Sequence, residues 1–181
     1  MLDEDKSKKV NVKDWIVLST TMIGVLLTIL ALIWGFKPTN GIITVTFLLM
    51  MAFILFINAV TANSRAHFES KFKEISEKKI KRFINFAEYT FGLGFTFVII
   101  GFAILGYKYL LDLTNRSIIA LALPITILLL AWLMMVIYNI LSYSGKGFKV
   151  VRNLKRNIWS LIELGCMVLI ILDYYQVFLI P

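Results

Sequence analysis

Residues 38–64 read PTNGIITVTFLLMMAFILFINAVTANS, a run of 27 residues without a charged side chain. Further uncharged runs of 22, 19 and 29 residues cover positions 15–36, 89–107 and 117–145. A helix of about 20 residues crosses the hydrocarbon core of a bilayer, so all four runs are of spanning length. Because the runs are apolar on every side and do not alternate, they indicate membrane helices and exclude a porin-type barrel.

The composition of the whole chain agrees with a membrane protein. Its 181 residues are 59% hydrophobic and 17% charged, with a mean hydropathy of +0.82, whereas soluble domains carry roughly 25% charged residues. Five spans of about 20 residues leave no room for a separate soluble catalytic domain. The sequence therefore predicts one all-α transmembrane bundle over residues 1–181. Its four clear spans and probable fifth are placed at 15–36, 41–63, 86–107, 117–143 and 158–179.

The last of these segments, 158–179, is apolar but contains Glu163 and Asp173. As a fifth span it would bring Asp173 toward the outer side of the membrane, where the carboxylate needs a partner or a proton. The cations available there are Lys37, Lys108 and Arg116. As an interfacial helix it would instead leave residue 181 on the inner side. The absence of positive charge after residue 156 favours the span.

Lysine and arginine concentrate on alternate sides of the predicted spans. The N-terminal tail and the connections 64–85 and 144–157 hold 16 of the 19 cations, against three elsewhere. By the positive-inside rule these segments and the N-terminus face the cytoplasm, which suits a bacterial inner membrane. The same bias explains the net charge of +8, so we do not expect nucleic-acid binding. The cations expected to bind a protein partner or lipid headgroups are Arg65, Lys71, Lys73, Lys78, Lys79, Lys81, Arg82, Lys149, Arg152, Lys155 and Arg156.

The connection 64–85 has the pattern of a helical extension that links the second and third spans. Acidic and basic residues recur there in the favourable i,i+4 order, as Glu69–Lys73, Glu74–Lys78 and Glu77–Lys81. An apolar stripe accompanies these pairs and consists of Phe68, Phe72, Ile75, Phe83 and Phe86. The extension would lie on the inner leaflet or project from it. A solvated basic linker is the alternative interpretation.

Few polar groups interrupt the predicted spans, and an ionisable group inside a membrane is by default a candidate for function. The intramembrane polar candidates are Asp173, Glu163, Glu88, Asn58 and Asn139. For Asp173, a structural ion pair or a hydrogen bond between subunits is favoured over a proton or ion relay. In the fourth span, Pro124 removes one helix hydrogen bond and is expected to kink the helix.

Enzymatic chemistry finds little support in this sequence. No HExxH motif and no glycine-rich nucleotide loop occurs, and a single Cys166 and a single His67 make neither a disulfide nor a metal site. We expect no enzyme, no cofactor and no small-molecule substrate. Two classes of function remain. One is a membrane subunit that oligomerises and recruits or regulates a cytosolic protein partner. The other is a small oligomeric pore or membrane-perturbing effector, which would need a polar stripe through a span.

The layout combines a short charged tail, four clear spans and basic connections at 65–82 and 146–156. In size and plan it resembles the membrane subunit of Kiwa-type bacterial antiphage defence systems. The resemblance implies an inner-membrane oligomer that senses disturbance of the envelope and holds a cytosolic, DNA-interacting partner. The residues themselves favour the subunit over the pore, because the polar side chains of the first four spans are few and are mostly hydroxyls.

Overall fold

A computed structural model describes residues 12–35, 41–70, 77–143 and 158–181, with side chains except at positions 135, 138–143 and 160. The described residues are 91% helical and contain no strand. Five helices follow one another along the chain: α1 (Val12–Gly35), α2 (Ile42–Glu69), α3 (Glu77–Leu113), α4 (Ile118–Tyr143) and α5 (Ile158–Tyr174).

Three of the helices have membrane character. With 24, 28 and 37 residues, α1, α2 and α3 are long and apolar enough to cross a bilayer. The described apolar part of α4 covers Ile118–Met134. Helix α5 has 17 residues, or about 25 Å at 1.5 Å per residue, and it ends before the predicted limit at 179. The all-helical, membrane-type fold is thus confirmed, whereas the fourth and fifth spans stay predictions.

The predicted connection 64–85 is divided between the ends of two helices. Helix α2 continues through Glu69 to a turn at Ser70, and α3 begins at Glu77. Two members of the predicted apolar stripe, Phe72 and Ile75, lie outside the described residues. Of the cations predicted to bind a partner or headgroups, those outside the described residues are Lys71, Lys73, Lys149, Arg152, Lys155 and Arg156.

Helices α3 and α5 are each followed, two residues after their last helical residue, by a residue in the left-handed conformation. After α3, Asn115 has φ 48°, a conformation that Asn tolerates better than most residues. After α5, Gln176 has φ 61°. There the Val177 amide donates to the Leu172 carbonyl at 2.9 Å and the Gln176 amide to the Asp173 carbonyl at 3.0 Å. This pair of bonds is the Schellman motif, which stops a helix and turns the chain.

The chain forms two compact units. Of the described residues, the first unit comprises 12–32, 51–70 and 77–94, and the second comprises 33–35, 41–50, 95–143 and 158–181. In the first unit, Phe91 of α3 packs edge to face against Trp15 and against Phe56, with ring centroids 5.3 Å apart in both pairs. Gly94 lies one turn further along α3, and a Cβ there would be 3.3 Å from the Phe56 ring. Small residues of α3 thus let α2 approach closely.

The second unit contains the start of α2, the end of α3, and helices α4 and α5. Gly101 of α3 faces Leu49 of α2, and a Cβ at this glycine would be 3.2 Å from the leucine side chain. Helix α4 packs against α5, and its Pro124 side chain is fully buried. The buried side chains of α5 recur at helical spacing, namely Glu163, Cys166, Met167, Ile170 and Asp173.

Candidate functional site

A buried ion pair joins α3 to the end of α5 in the second unit. The Lys108 ammonium lies 2.9 Å from Oδ1 and 3.0 Å from Oδ2 of Asp173. The side chains are 8% and 1% exposed. Of the three cations that the sequence offers to Asp173, the structure therefore places Lys108 against it.

Two further donors complete the surroundings of the Asp173 carboxylate. The Tyr107 hydroxyl donates to Oδ2 at 2.7 Å, and the Ile180 amide donates to Oδ1 at 2.7 Å. Each carboxylate oxygen thus accepts two hydrogen bonds from buried donors. A carboxylate so fully bonded is stabilised in its ionised form. This geometry favours a structural ion pair over a relay, because a relay needs a carboxylate that exchanges its proton.

The aliphatic part of the Lys108 side chain packs against Gly41, the residue just before α2. Gly41 has φ +86°, and a Cβ on it would be 2.7 Å from Cγ of Lys108. The left-handed backbone and the lack of space both require glycine. One turn along, the backbone amide and Oγ1 of Thr44 donate to the Pro181 carbonyl at 3.1 and 2.8 Å. The cluster therefore unites the start of α2, the end of α3 and the segment after α5.

Glu163 is the second buried carboxylate of α5, and its surroundings differ from those of Asp173. It is fully buried, and neither of its oxygens has a hydrogen-bond partner among the described residues. Cys166, one turn further along the helix, is buried as well. An isolated buried carboxylate is costly unless it is paired or protonated.

The first unit is strongly basic at one end, where α2 ends and α3 begins. Glu69 is buried there and accepts from Arg65 at 3.0 Å and from Lys79 at 3.2 Å, which ties α2 to α3. The predicted pair of Glu77 and Lys81 does not form an ion pair. The partners of the other two predicted pairs, at positions 73 and 74, are outside the described ranges.

Three cations on α3 are exposed and pair with no carboxylate among the described residues. In the part of the chain that the structure describes, Lys78, Lys81 and Arg82 form no ion pair. They lie in the first two turns of α3, at the helix end whose dipole disfavours positive charge. Helix stability therefore does not explain them. We call these residues the basic surface.

The remaining candidates are not brought together. Asn58 and Glu88 are exposed on α2 and α3. The side chain of Asn139 lies outside the description. Pro124 sits within helix α4, which continues on both sides of it, and the expected kink stays a prediction.

The hydroxyls of the apolar helices mostly bond to their own backbone. Each of the following donates to the carbonyl four residues earlier, at 2.8 to 3.0 Å: Ser19, Thr20, Thr21, Thr28, Thr61, Thr90 and Thr126. A hydroxyl that is satisfied in this way needs no water. These residues therefore give little support to a water-filled lumen.

An apolar groove of about 460 Å³ lies between the end of α1 and the start of α2. Among the described residues its lining consists of Thr46, which is polar, and of Ile33, Trp34, Ile42, Ile43, Phe47 and Met50. Specific binding of a polar substrate requires several placed polar groups.

Sequence reasoning missed the residues that complete the Asp173 cluster. The sequence marks Tyr107 only as the residue before Lys108, and no pattern in it links Gly41 or Ile180 to Asp173.

A scan against protein-family models, a search of curated proteins and a search of solved structures find nothing that matches this chain. The class that the fold defines is accordingly an all-helical protein with membrane-type helices and a buried inter-helix ion pair.

Proposed function

We propose that this chain is a non-enzymatic multi-pass subunit of the bacterial inner membrane that oligomerises and recruits a cytosolic protein partner. The basic surface carries the proposal. Its three exposed cations are not engaged by a described carboxylate, and they stand where the helix dipole opposes them. An acidic surface on a partner would pair with these cations and would also place negative charge at the N-terminus of α3, where the helix dipole favours it.

The ion pairs of Glu69, next to the basic surface, favour recruitment of a partner over a loose basic linker. Glu69 joins Arg65 and Lys79 and so fixes the end of α2 to the first turn of α3. Cations on a fixed helical end present a defined pattern of charge, and such a pattern contributes to specificity and to the rate of association. Anionic headgroups of the inner leaflet offer the same charge at about 1 kcal/mol per cation.

The proposed role is a sensor that signals to its partner, and the antiviral setting comes from the resemblance to Kiwa-type membrane subunits. The helical hydroxyls do not support the alternative function of a pore, because most of them donate to backbone carbonyls of their own helix. Oligomerisation is part of the proposal, and its measure is the native mass of the purified protein in mild detergent.

The recruitment test is affinity purification of a triple variant, Lys78→Gln, Lys81→Gln and Arg82→Gln, in mild detergent. We expect loss of a co-purifying cytosolic protein, most strongly at low salt, because exposed charges act over about 8–10 Å at physiological ionic strength. The matched control is Lys78→Arg, Lys81→Arg and Arg82→Lys, which preserves charge and should retain the partner. Binding of vesicles with anionic lipids measures the leaflet separately. Unchanged protein recovery in the glutamine variant would contradict recruitment through this surface.

A further inference from the structure

Helix α5 carries a carboxyl group that is buried in an apolar part of the second unit. Glu163 is 0% exposed, and neither carboxyl oxygen has a hydrogen-bond partner among the described residues. The next buried side chains on the same side of α5 are Cys166, Met167 and Ile170. Because buried cysteine packs much as a small hydrophobic residue does, this side of the helix is apolar beyond Glu163.

The described helices around α5 bring no positive charge to Glu163. Helix α4 packs against α5, and its described side chains include no ionisable group. Helix α3 supplies Tyr107 and Lys108, but both bind Asp173, which lies about 15 Å further along the helix axis. Of the titratable side chains of α5, Cys166 is the one within a turn of Glu163. Among the described residues, an ionised Glu163 would therefore have no counter-charge.

This environment favours the neutral form of the carboxyl group. An isolated charge in an apolar interior is strongly unfavourable, and a buried acid avoids it by keeping its proton. Asp173 shows the opposite arrangement on the same helix, because four hydrogen bonds stabilise its charged form. The two carboxyl groups of α5 are thus built for different protonation states.

We propose that Glu163 is a proton-binding site, which holds its proton while α5 is packed and releases it when water enters the buried side of this helix. On release the carboxyl O–H bond breaks, its electron pair stays on the oxygen, and the proton passes to water. Since the proton binds the packed state better, it stabilises that state. This property goes beyond recruitment of a partner and does not depend on the basic surface.

Infrared spectroscopy of the full chain tests proton binding in dodecyl maltoside, a detergent without carbonyl groups. A protonated carboxyl group has its own C=O stretching band. We expect this band at neutral pH, its loss in Glu163→Gln and its retention in Glu163→Asp. Asp112→Asn is the matched control, because it removes an exposed carboxyl group and should leave the band unchanged. Absence of the band in the folded wild type, or a band of equal size in Glu163→Gln, would overturn the proposal.

Cys166 reports entry of water, because it is buried one turn from Glu163. Its reaction with a water-soluble methanethiosulfonate is timed at neutral pH and at the alkaline pH where the band is lost, in the wild type and in Glu163→Gln. Thiols react faster as the pH rises, and this effect is common to both proteins. Cys166→Ser, which removes the single cysteine of the chain, gives the blank.

We expect equal rates at neutral pH and a several-fold faster reaction of the wild type at alkaline pH. A negative charge on Glu163 would by itself disfavour the thiolate of Cys166, so the faster reaction can only report access of water. Equal rates at alkaline pH would overturn the coupling between proton release and packing of α5. A band that persists at every pH at which the protein stays folded would overturn the release step.

Discussion

At the scale of single residues, the two buried carboxylates of α5 are chemically alike but differ in their surroundings. Asp173 accepts four hydrogen bonds, whereas Glu163 has no partner in the described ranges. Both were visible in the sequence as intramembrane candidates, and the outer cations available to Asp173 could be enumerated from the charge pattern. The sequence could not tell which cation would pair, because that depends on how α3 and α5 are turned toward each other.

Replacing Asp173 by asparagine should destabilise the protein by about 3–5 kcal/mol, because it leaves the Lys108 charge buried and unpaired. Glu163→Gln is the matched control on the same helix, and it breaks no described hydrogen bond. Thermal unfolding in detergent measures both variants. Equal melting temperatures for the two variants would contradict a stabilising ion pair.

The second prediction at this scale concerns Gly41. Alanine there must adopt a left-handed backbone, at a cost of about 1–2 kcal/mol, and its Cβ would overlap the Lys108 stem. Gly24→Ala is the control, since it lies in α1 with nothing within 4 Å of an added Cβ and should gain up to about 1 kcal/mol from helix propensity. The same thermal unfolding compares them, and a Gly41→Ala protein as stable as Gly24→Ala would show that the turn tolerates a side chain.

At the scale of elements, hydrophobic runs predicted the existence of the helices better than their ends. The uncharged run 38–64 marks the apolar part of α2, but the helix itself continues to Glu69, whose Oε1 accepts from Arg65 and Lys79. The early end of α5 at Tyr174 results from the left-handed Gln176. Glutamine carries no sequence signal for such a conformation, which glycine usually adopts.

The packing of α3 on α2 depends on Gly101 of α3, which faces Leu49 of α2. A leucine at Gly101 should lower stability by about 1–3 kcal/mol, because even its Cβ would press on Leu49 of α2. Leucine at Gly106 is the matched control, since an added Cβ there meets nothing within 4 Å. Thermal unfolding should separate the two variants, and a larger loss at 106 than at 101 would contradict the packing of α3 on α2 through Gly101.

At the scale of the whole molecule, the contacts of the second unit bear on the number of membrane crossings. The Tyr174 hydroxyl donates to the Arg116 carbonyl at 3.1 Å, and Asp173 pairs with Lys108. The end of α5 therefore lies beside the turn between α3 and α4. If the charge bias holds, this turn faces outward while the connection 144–157 faces the cytoplasm. Under that condition we expect helix α5, with its 17 residues, to cross the membrane, with local thinning of the bilayer accommodating its length.

Reporter fusions test this arrangement, since they read the side of the membrane directly. A reporter active only in the cytoplasm should give a strong signal when it is fused after Ser70 and little signal when it is fused after Asp112. Fused after Pro181 in the full chain, it should be as silent as after Asp112, because the contacts of Asp173 and Tyr174 keep this end with the α3–α4 turn. Cysteine labelling of intact cells at Ser70 and Asp112, in the Cys166→Ser background, checks the two references. A strong cytoplasmic signal after Pro181 with both references as expected would refute the fifth crossing, and with it the burial of the Lys108–Asp173 pair at the outer side of the membrane.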